Sequence, residues 1–255
     1  MQKTYIIEQS KKLYIECKIQ EYNDIIEKRM KMFEETENKK EKTNYVKILK
    51  DKTIFKINNK KTIVSGKLKH TDLYQLINNS LSNLINDSKN LYIHSVVLEY
   101  KGKGILLLGD FNSGKTFLSL ESRKKGFDIL SADQSWLKKI GEDVFLYRGS
   151  KYLAINNNFE IINNNKVLKI YSIIILKGSC GNKTRIINEE NEYRNLKNLS
   201  KYATWSINNV LMTDDIDLTL NKVVIKKFLK DINLKVFYVF GKVNDIIKFM
   251  KGILK

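Results

Sequence analysis

Short apolar-rich segments separated by polar ones run through the first 65 residues. Thr4–Ile7 and Leu13–Ile19 read as short strands, and Val46–Leu49, Thr53–Ile57 and Thr62–Val64 show the period of two expected of half-buried strands. Asn58-Asn59 supplies a turn between the last two. The stretch Glu21–Lys42 is dense in charge and predicts a helix or a mobile excursion. The period then changes. Leu73, Leu76, Ile77, Leu81, Leu84 and Ile85 recur at helical spacing, so Thr71–Ile85 is predicted to be a helix with one apolar face, and Thr71 to cap it.

Beyond it, Leu91–Tyr100 reads as one strand leading through Lys101-Gly102-Lys103-Gly104 into the apolar run Gly104–Leu108. That tetrapeptide reads as a hairpin turn, which makes the two flanking strands antiparallel. A helical pattern opens at Thr116 and ends at Gly126, as helices do at a glycine just past the last turn. Phe127–Leu130, Asp143–Arg148, Tyr152–Ile155, Lys169–Lys177 and Val236–Phe240 are further predicted strands. Glu192–Ile207, Leu218–Leu229 and Val243–Leu254 are predicted helices, the last with Ile246, Ile247, Met250 and Ile253 on one face. Asn156–Asn158 and Asn163–Asn165 mark loops. The organisation expected is a β-rich region over residues 1–88 with one clear helix, packed on an α/β core over 89–255.

Between the Gly104–Leu108 strand and the next helix lies Gly109-Asp110-Phe111-Asn112-Ser113-Gly114-Lys115-Thr116, which fits G-x-x-x-x-G-K-[ST] at every fixed position. Strand, glycine turn and helix is the context this motif needs. Glycines at 109 and 114 let the backbone curl so that successive N–H groups point inward at phosphate oxygens, and the helix start adds partial positive charge. The ligand class is therefore ATP or a similar triphosphate with Mg²⁺. Residues Gly109 to Phe117 would line it, Lys115 reaching the β- and γ-phosphates and the Thr116 hydroxyl serving the metal. Asp110, inside the loop, could orient a nucleophile or a water.

The chain has 255 residues, of which 42% are hydrophobic, enough for a real core. No run approaches a membrane span, and Met1–Lys12 has no apolar leader. Cys17 and Cys180 form no C-x-x-C pair and suit a reducing cytoplasm. The formal charge of +18 raises nucleic-acid binding and a nucleic-acid-stimulated ATPase as readings. Nearly all the cations are lysine, however, and proline is absent from a chain rich in Asn and Ile, a joint bias that matches AT-rich coding rather than a dedicated groove. A basic surface suits an acidic protein or peptide equally.

Acids and bases elsewhere offer candidate partners for the loop. Asp133 ends an apolar strand, the usual place for a carboxylate serving Mg²⁺, although such a residue can also cap a turn. Val210–Asp215 is a rival apolar run ending in acids, read instead as the cap cluster of the following helix. Arg148, beside Gly149, could bring a guanidinium to a transferred phosphate or lie on the surface next to a turn. Ser179–Lys183 is read as a turn, with no His near Cys180 to activate it.

From His94 to Gln134 the chain reads HSVVLEYKGKGILLLGDFNSGKTFLSLESRKKGFDILSADQ, which resembles the catalytic core of HPr kinase/phosphorylase and its smaller relatives, a fold shared with ATP-dependent phosphoenolpyruvate carboxykinase. The shared pattern is a His opening a strand, a glycine hairpin, the P-loop, a helix ending in Gly and a strand carrying paired Asp. A looser likeness extends over residues 45–255. The resemblance implies a mixed sheet flanked by helices, oligomer formation, and transfer of the ATP γ-phosphate to a serine hydroxyl with Mg²⁺. It gives His94 a place near the phosphates and Asp133 a catalytic and metal-serving role. The family's Asp-Asp falls on Ala132-Asp133 without a gap, or on Asp133-Gln134 with a one-residue insertion; either way one carboxylate remains. A regulatory module that binds ATP without transferring phosphate is thus the alternative to a kinase.

Overall fold

The structure, a computed structural model, describes residues 1–8, 11–36, 44–57, 60–155, 158–162, 166–178, 183–203, 223–229, 232 and 234–255. The expected turns or loops at 58–59, 156–157, 163–165 and 179–182, the rival acids at 210–215, and the parts of the two helices falling in 204–222 lie outside them. The described residues fall into two compact units, Met1–Asn86 and those from Asp87 to Lys255.

In the first unit, six strands form one sheet: β1 Gln2–Glu8, β2 Lys11–Cys17, β3 Glu34–Thr36, β4 Asn44–Ile48, β5 Lys52–Ile57 and β6 Lys60–Ser65, in the order β3-β1-β2-β4-β5-β6. Only β2 and β4 run parallel. The charge-dense stretch yields helix α1 Asn23–Met30, which buries Ile26 and Met30, before the chain enters β3. Helix α2 His70–Ile85 buries Leu73, Leu76, Ile77, Leu81, Leu84 and Ile85, the face its period predicts. Its start is not capped by Thr71, which lies inside the first turn. The Asp72 carboxylate accepts the Lys69 N–H at 3.1 Å instead.

The second unit is built on β7 Asn90–His94, β8 Val96–Tyr100, β9 Lys103–Gly109, β10 Asp128–Ser131, β11 Gln134–Ile140, β12 Asp143–Gly149, β15 Leu168–Leu176, β16 Arg185–Asn188 and β17 Lys235–Phe240, with β13 Tyr152–Ile155 and β14 Asn158–Ile161 as a separate hairpin. The main sheet runs β10-β8-β9-β15-β12-β11-β7, with β17 also on β15 and β16 on β17. The single strand expected over Leu91–Tyr100 is two. The chain breaks at Ser95, because β7 pairs with β11 while β8 pairs with β9 and β10. Ser95 has no ladder partner; its N–H donates to the Asp133 carbonyl at 3.0 Å and its hydroxyl to Ser135 at 2.7 Å. At the hairpin between β8 and β9, Lys101 and Gly102 both take positive φ, 52° and 79°, as a two-residue primed turn demands.

Strands β9, β15 and β17 are parallel to one another, and their carboxyl ends lie together at Gly109, Leu176 and Val239. Period two splits β15 between two faces. Ile174 and Leu176 join Val96, Leu107, Leu118 and Met250 in one apolar cluster, so that α3 Lys115–Arg123 and the closing helix Val243–Ile253 cover that face. Ile173 lies with Leu199 of α4 Glu192–Ala203 and with Leu229 of the helical segment 223–229. Among the described residues no helix is long and apolar enough to cross a membrane.

Candidate functional site

At the end of β9 the chain turns sharply. A Cβ on Gly109 would collide with the Ser113 side chain and stand 3.0 Å from the Leu176 carbonyl, so only glycine fits between the loop and β15. Asn112 and Gly114 both adopt left-handed φ, 60° and 88°, and the Ser113 N–H closes a tight turn on the Asp110 carbonyl at 3.1 Å. Gly114 is the residue before α3, and the first turn of that helix leaves N–H groups with no intrahelical acceptor. Phe111, Thr116 and Phe117 are exposed.

Lys115 lies inside this turn. It is buried, and its ammonium donates to the carbonyls of Gly109 at 2.8 Å and Asp110 at 3.0 Å, so the loop curls around it. Burial pushes its pKa below the ordinary lysine value, and the charges of Asp133 and then Asp110 partly oppose that. Asp133 is therefore within electrostatic reach of Lys115. It sits in the turn between β10 and β11, and its Oδ1 lies 3.3 Å from His94 Nδ1 at the end of β7. The β7–β11 register, Gln134 opposite His94, sets that pair in place. Ala132 points the other way. It is buried in the apolar cluster with Leu118, Leu153 and Ile174, and its N–H donates to Ser150. A carboxylate at position 132 would be directed into the core.

Three further groups surround the loop that motif reading did not name. Lys201 of α4 pairs with Asp110 at 2.6 Å, and this bond, first among several cationic contributions, holds the Asp110 carboxyl below its usual range. Tyr202 next to it is buried, which raises its phenol pKa, with the Asp110 charge adding to the effect. Lys177 directly follows β15 and is pushed down by burial. Lys177 had a legible signal, since it ends an apolar strand. Lys201 had none, being one of two lysines on a polar helix. The Arg148 guanidinium lies 5.9 Å from the Trp136 ring and 5.6 Å from that of Tyr147.

The arrangement fits a polyanion better than a bare metal. The loop amides, buried Lys115 and neighbouring lysines are all cationic or partly positive. Among the described residues no group of three or more His, Cys, Asp or Glu side chains could hold a metal ion. A Mg²⁺ here would draw much of its shell from phosphate oxygens and water, as Mg²⁺ does when it arrives with a nucleotide.

No protein-family model matches the chain, and no curated protein does. Among solved structures the chain is similar to the HPr(Ser) kinase/phosphatase from Coxiella burnetii, at 13% sequence identity and a TM-score of 0.35, covering 64% of this chain and 93% of that chain. A likeness that loose assigns neither a residue nor an activity.

Proposed function

We propose that the unit from Asp87 to Lys255 is an ATP-dependent phosphotransferase with a P-loop at Gly109–Thr116 and HPr-kinase-like architecture, moving the γ-phosphate of ATP onto a serine hydroxyl of a peptide or protein. The observation that carries this reading is the buried Lys115 ammonium, held by the Gly109 and Asp110 carbonyls and within the electrostatic influence of Asp133, which itself lies 3.3 Å from His94. The backbone of residues 109–117 would face the phosphates, and Lys115 would exchange its two carbonyl acceptors for β- and γ-phosphate oxygens. Thr116 and Asp133 would hold Mg²⁺, whose charge would offset that developing on the transferred group.

In the transfer itself, Asp133 accepts the proton of the attacking serine hydroxyl, oriented by His94. The hydroxyl oxygen bonds to the γ-phosphorus, the bond from that phosphorus to the β,γ-bridging oxygen breaks, and ADP leaves. The net charge of +18 suits an acidic acceptor, and no step needs nucleic acid. Incubating the full chain with γ-labelled ATP and serine-containing acceptors tests the proposal. Label transfer is expected, with loss in Lys115→Ala; transfer unchanged in that variant excludes the mechanism.

One observation favours a second reading. Position 132 is an alanine packed into the core, so a single carboxylate would have to serve both metal and proton. An ATP-binding regulatory module needs only the loop and Lys115. Tight ATP binding with no label reaching any acceptor would select it.

A further inference from the structure

Asp110 stands among three ammonium groups from three separate elements. Lys201 of α4 contacts its carboxylate at 2.6 Å. Lys115 of α3 donates to its carbonyl at 3.0 Å. Lys177 follows Leu176, the last β15 residue in register with Gly109, and its charge acts on the Asp110 carboxylate from there. Three lysines against one carboxylate give these four groups a net positive charge, and counting Asp133 leaves the sum positive. Lys177 and Lys115 are also partly withdrawn from water, where an arriving anion is attracted more strongly than at an open surface. A single carboxylate is a poor match for such a site, whereas a phosphoryl group offers several oxygens and more charge.

We infer that Lys177 and Lys201, together with Lys115, form the subsite for the terminal phosphoryl group of a nucleoside triphosphate, and that Asp110 is an internal anion holding Lys201 until that group arrives. The inference rests on the phosphotransfer reading and names which residues distinguish a triphosphate from a diphosphate. Entry of the triphosphate exchanges the Lys201–Asp110 contact for a Lys201–phosphate contact. Lys177 needs no release, because its side chain lies over the Tyr238 ring at 5.3 Å and is not bonded to the Asp110 carboxylate.

Calorimetric titration of the full chain with ATP, ADP and inorganic tripolyphosphate, each with Mg²⁺, tests it. Lys177→Met and Lys201→Met should each weaken ATP and tripolyphosphate roughly tenfold or more, the loss expected for one charge-assisted contact, and leave ADP within about threefold. Asp110→Asn should tighten tripolyphosphate, since the competing anion is gone. The double variant Asp110→Asn with Lys201→Met separates direct contact from mere neutralisation of Asp110: it should stay weak for tripolyphosphate. Recovery of wild-type affinity in the double variant, or equal losses for ADP and ATP, overturns the inference. The Lys201 side chain is about half exposed (49%), so its replacement leaves the core intact, and Lys201→Arg should retain binding. If Lys115→Met loses ATP while the Lys177 and Lys201 variants keep it, this inference alone fails. If the wild-type chain binds neither ATP nor tripolyphosphate, the phosphotransfer reading fails with it.

Discussion

Replacing Lys115 by methionine removes a buried ammonium and keeps most of the side chain's volume. Two effects on stability oppose each other. Burial disfavours the charged form, so the change relieves a desolvation cost. It also takes a donor from two carbonyls. Asp110 is exposed, so water can serve its carbonyl, whereas Gly109 is buried and its carbonyl loses a partner, at a cost of about 1–3 kcal/mol. The terms partly cancel, leaving a net change of about 1 kcal/mol in either direction, or roughly 2–4 °C in melting temperature for a domain of this size. Binding has no such compensation. Loss of charge-assisted hydrogen bonds worth about 1.5–3 kcal/mol predicts ATP affinity lower by roughly ten- to a hundred-fold. Thermal melting by circular dichroism and ATP titration on the same samples give both numbers. A folded variant with wild-type ATP affinity would refute the assignment of Lys115 to the phosphates.

Asp133→Asn should lower single-turnover phosphate transfer by about 10²–10⁴-fold, the usual worth of a general base, while ATP affinity falls only a few-fold; a proportional loss of both would instead assign Asp133 to binding. His94→Ala should reduce transfer less than Asp133→Asn, and the two changes together should cost less than their product, as expected for two neighbouring members of one pair. ATP affinity should weaken as pH rises through the lowered Lys115 value, with proton uptake on binding below the ordinary 10.5; titration in buffers of different ionisation enthalpy measures it, and zero uptake across the alkaline range contradicts it. For the empty protein the sign is opposite: the unfolded chain holds that proton longer, so in the same window folding becomes more favourable as pH rises. Ile174→Ala, at a fully buried position in the middle of β15, should cost about 2–5 kcal/mol by urea denaturation, and a loss under 1 kcal/mol would place the core elsewhere.

What could be read from the sequence was mostly local. The loop was legible because its steric demands are local, and the structure shows the same demands at Gly109, crowded by Leu176, and at left-handed Gly114. The α2 face and the closing helix were legible from their period, and the β8–β9 hairpin from Lys101-Gly102. The break at Ser95 was not, because the apolar run continues across it and the change lies in which distant strand each half pairs with. Strand β11 was missed since Lys138 and Lys139 interrupt its alternation, although β7 and β12 flank it on both sides. The direction in which Ala132 and Asp133 face depends on the turn between β10 and β11, where sequence spacing left two alignments open. Lys201 reaches Asp110 from ninety-one positions away, a contact that only the packing of α4 creates.

The central claim is that the Gly109–Thr116 turn grips a triphosphate with Asp133 on its terminal side. A crystal structure of the full chain with a non-hydrolysable ATP analogue and Mg²⁺ tests it most directly. The account predicts phosphate oxygens on the loop amides and on Lys115, with the Asp133 carboxylate facing the γ-phosphoryl group. Analogue bound elsewhere, or a bare loop at saturating analogue, would contradict it.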